Sequence, residues 1–180
     1  MLMFPKDKDR QEAKPSRHVS PGAEAAREIL SQHWSGVVPV PLVELCSACG
    51  VTLVEAVNAD WTDDLKMLAL TSHGSCYIMI EPNARVGDVF PPETRELIAA
   101  GLAAHVLDLL DDDGVFMVTA KDTHLPVEME SFVAALLIPE DAAAHIANTR
   151  GQGLCALARV FGVRESTVSQ NFQATPANSD

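Results

Sequence analysis

Residues 93–110 read ETRELIAAGLAAHVLDLL and follow directly on Phe90-Pro91-Pro92. Proline suits the first turn of a helix, and Glu93 and Glu96 suit its positive N-terminal end, so the segment predicts a long helix that starts at the prolines. The spacing carries that helix to the DDDG turn at residues 111–114. Its apolar stretch, Leu97 to Leu110, is interrupted by His105 and Asp108 and is too short and too polar to span a bilayer. Gly101 in mid-helix costs about 1 kcal/mol against alanine. The run AAGLAA at residues 99–104 therefore reads as a small-residue surface that lets another helix pack closely.

Working outward, the chain predicts an α+β domain. A helix is expected from about Gly22 to His33 and a second from about Pro41 to Cys49, ended by Gly50. VTLVEAV then reads as a strand, and LKMLALTSHGSCYIMIEP as two strands around a turn at His73-Gly74, together a small antiparallel sheet. After the long helix come a short strand in GVFMVTA, a helix in EMESFVAALLIP stopped by Pro139, and two or three shorter helices. Phe132, Leu136 and Leu137 recur at helical spacing opposite Ile98, Leu102 and Val106, so these two helices are expected to pack face to face. The predicted division is a basic tail over residues 1–21, a main domain over 22–148, a helical appendage over 149–174 and a flexible tail over 175–180.

At 180 residues with 47% hydrophobic content the chain can bury a sizeable core. Its formal net charge of -12 argues against general coating of nucleic acid or of an anionic membrane. Charge is uneven, however. Lys6, Lys8, Arg10, Lys14 and Arg17 crowd the leading Pro- and charge-rich stretch, whose composition predicts disorder, and Arg150, Arg159 and Arg164 face only Glu165 near the other end. The first residues lack the long apolar core and cleavage site of a secretory signal, so a cytoplasmic location without membrane association is expected. The four cysteines include one Cys-x-x-Cys, Cys46 to Cys49. Three apart on a helix, they share one face and read as small core residues rather than a redox pair or half a zinc site. The acidic run Asp111 to Asp113 reads as a solvated turn rather than a cation loop.

The order helix, PVPLVELCSACGVTLVEA, strands, long helix, EMESFVAALLIPED and then LARVFGVRESTV resembles the ImmA/IrrE family of metallopeptidases, over roughly residues 22–172. The resemblance implies a zincin-like fold in which the long helix is a former active-site helix. That family carries R-F-T-x-A-H-E-x-x-H on one helix and E-A-N-x-F-A-x-x-L-L-M-P on a later one, whose first glutamate is the third zinc ligand. Counted back from Pro139, Glu128 takes that glutamate's place, with Phe132, Leu136 and Leu137 on the packing positions. In the first motif Arg95, Ala99 and Leu102 match. Ala100 and Ala104 stand where the two histidines belong, and Gly101 where the catalytic glutamate belongs.

Catalytic zinc needs three protein ligands and an open position for water, with a carboxylate to act as general base. Alanine and glycine supply none of these, and Glu128 alone cannot hold the ion. The chain is therefore expected to be a pseudoenzyme without a cofactor. The rescue reading is a zinc site with displaced ligands, for which His105 and His124 are the candidates beside Glu128. His105 lies one residue past the lost second histidine, about 100° around the helix, and should point away from the old site.

LARVFGVRESTVSQNFQ supplies another class of function. Ala158, Gly162 and Val168 have the spacing of a helix-turn-helix, in which a small residue lets the helices cross, glycine makes the turn and an apolar residue packs the second helix. Arg164, Ser166, Thr167, Gln170 and Asn171, with Ser169, would then line an exposed second helix and could contact nucleic acid. The bland reading is a packing unit. A peptidase-like fold without its chemistry is expected to act by recognition, binding a protein partner such as a helix-turn-helix repressor or another phage or host regulator. A displaced-ligand metallopeptidase and a DNA-binding regulator are the alternatives.

Overall fold

The computed structural model describes residues 20–56, 64–82, 84–85, 89–111, 113–122, 124–150 and 153–173. Residues 1–19 and 174–180, which hold nearly all of both expected tails, lie outside them. The first helix, α1 (Pro21–His33), starts one residue earlier than the spacing indicates: Ser20 Oγ accepts the Ala23 N–H at 3.2 Å, and Pro21 occupies the first turn. Gly22, Ala26, Ile29 and Leu30 form its buried stripe. A short α2 (Leu42–Ala48) follows, and then β1 (Val51–Glu55), β2 (Leu65–Ser72) and β3 (Ser75–Ile80). The β2–β3 hairpin turns at His73 and Gly74 with φ of 51° and 78°, the paired positive values of a turn whose twist matches that of the strands.

The sheet is mixed rather than antiparallel. Its order is β1-β3-β2-β4, where β4 is Val115–Thr119, and β1 runs parallel to β3 while β2 is antiparallel to both β3 and β4. Apolar alternation fixes which face of β1 turns inward but not its direction. Only a tight hairpin fixes that, and none joins β1 to β2.

Across the inner face of the sheet lies α3 (Pro92–Val106), against the buried Met67, Ala69, Ile78, Ile80 and Val118. The helix ends well before the DDDG turn. Asp108 adopts φ 54°, the Leu109 N–H reaches the Ala104 carbonyl at 2.9 Å, and the Asp108 N–H reaches that of His105 at 3.5 Å. This is the six-to-one, five-to-two closure that usually needs glycine; aspartate takes the left-handed position here, so the sequence lacks the usual stop signal. The acidic run instead shapes the entry to β4, with Asp111 Oδ1 accepting the N–H of Asp113 at 3.1 Å and of Val115 at 2.8 Å.

Four further helices complete the fold: α4 (Val127–Leu137), α5 (Glu140–Arg150), α6 (Leu154–Phe161) and α7 (Glu165–Gln173). The described chain is thus α+β, with seven helices and one four-stranded sheet. Packed between α1 and α3, α4 presents Phe132, Leu136 and Leu137, all fully buried with Ile98 and Leu102 in one cluster. Val106, the last residue of α3, is exposed rather than packed with them. Leu157, Phe161 and Val168 of α6 and α7 belong to the same cluster. No described helix is long and apolar enough to cross a membrane.

Candidate functional site

The C-terminal half of α3 holds the positions where the resemblance puts chemistry. Ala100, Gly101 and Ala104 are all buried, and the backbone at Gly101 lies directly on β3. A Cβ built at Gly101 would stand 2.8 Å from Ile78 Cγ2 and 2.9 Å from Ile78 Cγ1. Real atoms do not approach so closely, so any larger residue requires Ile78 to move. The space that a catalytic glutamate needs is occupied by the sheet.

Glu128, the remnant ligand position, is the second residue of α4, and its Oε2 accepts the Gly22 N–H of α1 at 3.1 Å. One carboxylate thus serves two helix N-termini, where free N–H groups and the helix dipole favour negative charge. Glycine is required opposite it, because a Cβ at Gly22 would lie 1.9 Å from the Glu128 carbonyl oxygen.

His105 places Nε2 3.0 Å from the Tyr77 carbonyl oxygen of β3. A carbonyl only accepts, so this ring nitrogen carries the hydrogen and is no metal ligand in that tautomer. His124 is exposed in the connection before α4. Glu128, His105 and His124 are not brought together, and among the described residues no group of three or more His, Cys, Asp or Glu is placed to hold a metal ion. The Cys-x-x-Cys pair is also quiet. Burial, aided by the charge of Cys49, pushes the fully buried Cys46 thiol up to about 12, and burial raises Cys49 as well, the reverse of the shift that activates a thiol.

The buried polar chemistry of α3 lies one turn earlier, in Thr94, Arg95 and Glu96. Arg95 donates from Nη2 to the Val40 carbonyl at 2.9 Å, and its Nε has no hydrogen-bond partner among the described residues. Burial lowers its pKa from the ordinary arginine value. The guanidinium sits beneath the α6–α7 turn, where a Cβ at Gly162 would come within 3.0 Å of Nε; Gly162 itself holds φ 64°.

Glu96, whose side chain is 8% exposed, collects the start of α7. Its Oε1 accepts the Arg164 N–H at 3.1 Å and the Thr167 hydroxyl at 2.6 Å, and its Oε2 accepts Arg164 Nε at 2.6 Å, with Nη2 completing the fork. The hydrogen bond to Glu96 is the main cause that holds the Arg164 pKa above its ordinary value.

This geometry bears on the reading of α7 as an exposed helix lined by polar side chains. Thr167 is buried, and the Arg164 guanidinium is committed to Glu96. The half-buried Asn171 lies with Nδ2 3.4 Å from the Ala134 carbonyl of α4. Ser166 and Gln170 are exposed. The three positions that suggested a helix-turn-helix do form a tight helix pair: Ala158 and Val168 are buried, and Gly162 makes the turn.

Sequence reasoning missed Glu96 as a docking residue and assigned it only to the helix N-terminal charge. The signal was its spacing. Glu96, Ala100 and Ala103 recur at i, i+4 and i+7, which puts the carboxylate on a stripe of small apolar residues. Comparisons with protein-family models and with curated proteins found no match for this chain.

Proposed function

We propose that this protein is a catalytically inactive, ImmA/IrrE-like regulatory protein of zincin-like ancestry that acts by binding a protein partner, such as a helix-turn-helix repressor or another phage or host regulator. The observation that carries the reading is the contact of Gly101 with Ile78, which leaves the former general-base position without room for a side chain. Glu128, the one carboxylate of the resembling ligand set, is engaged by the Gly22 N–H, which supports the same reading. A fold that spends its former active-site face on packing retains surface recognition as its means of action.

The DNA-binding alternative loses support where Thr167 is buried and the Arg164 guanidinium is paired with Glu96, because phosphate contacts are what position a recognition helix on a duplex. A zinc site with displaced ligands loses support where Glu128 accepts the Gly22 N–H and no three potential ligands gather among the described residues. Capture from the native host on the immobilised full chain, followed by intact-mass measurement of what is captured, tests the proposal. The expected result is a partner that stays uncut during prolonged incubation. Time-dependent cleavage of the captured protein, or tight sequence-selective DNA binding at physiological salt, contradicts it.

A further inference from the structure

The two faces of the sheet are both apolar, although the described helices pack on only one. On the inner side Leu53, Cys76 and Phe116 pack against the core cluster, while Val54, Leu68, Leu70, Met79, Val115 and Met117 stay outside it. Strand register sets these outer residues in rows. Val54 pairs with Met79, Met79 with Leu68, and Leu68 with Met117; in the next row Thr52 pairs with Tyr77, Tyr77 with Leu70, and Leu70 with Val115. A sheet with one solvated face normally alternates apolar inward with polar outward. Here seven of these eight outward positions are apolar or aromatic, and Met117 on the edge strand is 57% exposed.

We propose that this outer face is the docking surface for a basic amphipathic helix of the protein partner; the inference rests on the reading of the protein as a binding module. Size decides between occupants. Four strands about 4.8 Å apart and two side-chain rows about 7 Å apart give a patch roughly 19 Å by 14 Å. The patch falls well short of the roughly 800 Å² per partner of a standard interface, so it fits one small element of a partner and not a broad sheet-to-sheet contact. One helix about 10 Å across and three to four turns long covers it. Charge decides the sign. The chain carries -12, and the ends of β2 and β4 bear the exposed Asp64, Asp111, Asp113 and Asp122 against Lys121, while Lys66 at the edge of the face is paired with Glu81. Positive residues flanking the apolar stripe of the incoming helix complement this rim.

The test uses the full chain and a synthetic helix of about 14 residues, with leucines on one face and lysines elsewhere. Two controls accompany it: the same composition with the leucines scattered around the helix, and the patterned peptide with glutamate in place of lysine. The patterned basic peptide is expected to bind, with each control at least roughly tenfold weaker, and Met117→Lys, at an exposed site that leaves the fold intact, is expected to weaken binding by roughly tenfold or more. Leu68→Lys, in the same row, is expected to act in the same direction. No binding of the patterned basic peptide, equal binding of either control, or an unchanged affinity in Met117→Lys overturns the proposal. Self-association of the native chain that Met117→Lys abolishes also overturns it, because a second copy is then the occupant. A native partner captured equally by the native chain and by Met117→Lys removes this surface while the binding-module reading stands.

Discussion

At its N-terminal end α3 buries Thr94, Arg95 and Glu96, and further along it buries Ala99 through Ala104 without one polar side chain among them. The two stretches hold the same helix in different ways. A buried carboxylate must be matched, so Glu96 fixes where the α6–α7 pair sits by accepting from Arg164 and Thr167, and any other placement leaves charge without a partner. The alanines and Gly101 specify no direction; they set a distance and let β3 approach until Ile78 touches the helix backbone. Polar burial here determines geometry, and small apolar residues determine closeness. The chemistry that the motif positions lack is therefore not simply moved along the helix, because the polar residues one turn earlier face another part of the fold and are spent on docking it.

The largest expected effect breaks the apolar half. Gly101→Glu must both displace Ile78 and bury a charge without a partner, which together should cost more than about 4 kcal/mol and leave little folded protein by thermal melting. Gly101→Ala is the sharper form. Helix propensity alone favours alanine by about 1 kcal/mol, whereas overpacking against Ile78 costs about 1–3 kcal/mol, so a net loss is expected in the native background. In an Ile78→Ala background the same change should turn neutral or favourable in a double-mutant cycle. Stabilisation by Gly101→Ala alone would show that this face is not tightly closed.

Next in size is the polar half. Glu96→Ala leaves the Thr167 hydroxyl and the Arg164 N–H without their acceptor, and urea unfolding should register a loss of about 1.5–3 kcal/mol. Arg164→Ala should cost less, because its side chain is 55% exposed and solvent screens its share. Equal losses from the two variants would mean that the ion pair, and not the buried hydrogen bonds of Glu96, holds the helix pair.

Smaller again is Glu128→Ala, which removes a cap from α1 and should cost about 0.5–2 kcal/mol, with Glu128→Gln recovering most of it because an amide oxygen still accepts the Gly22 N–H. Last comes Gln170→Ala, exposed on α7, expected within about 0.5 kcal/mol of the native chain and without effect on partner binding. Selective loss of affinity for one DNA sequence in that variant would reassign α7 as a reader of bases.

Much of this arrangement is legible in the sequence for local reasons. Helix starts at prolines, the hairpin at His73-Gly74 and the stop at Pro139 are written in residues that restrict their own backbone. The i, i+4 recurrence of Phe132 and Leu136 marks the face that meets α3. Long-range matters are not written that way. The direction of β1 depends on which edge of the hairpin it joins, and the early end of α3 depends on Asp108 accepting a conformation for which glycine is the usual sign. At the candidate site, that Ala100 and Ala104 carry no ligand atom and Gly101 no carboxylate could be read directly from the residue types. That Arg164 and Thr167 are held by a carboxylate of α3 could not, because the partner is Glu96, 68 residues away from Arg164 in the chain.

Metal content of the full chain, purified without chelator, tests the central claim most directly. If the α3 face around Gly101 is given over to packing, elemental analysis should find no stoichiometric zinc, and added zinc should leave the thermal midpoint unchanged. About one zinc per chain, lost on Glu128→Ala while the fold persists, would mean that a three-ligand site exists after all and would contradict the account.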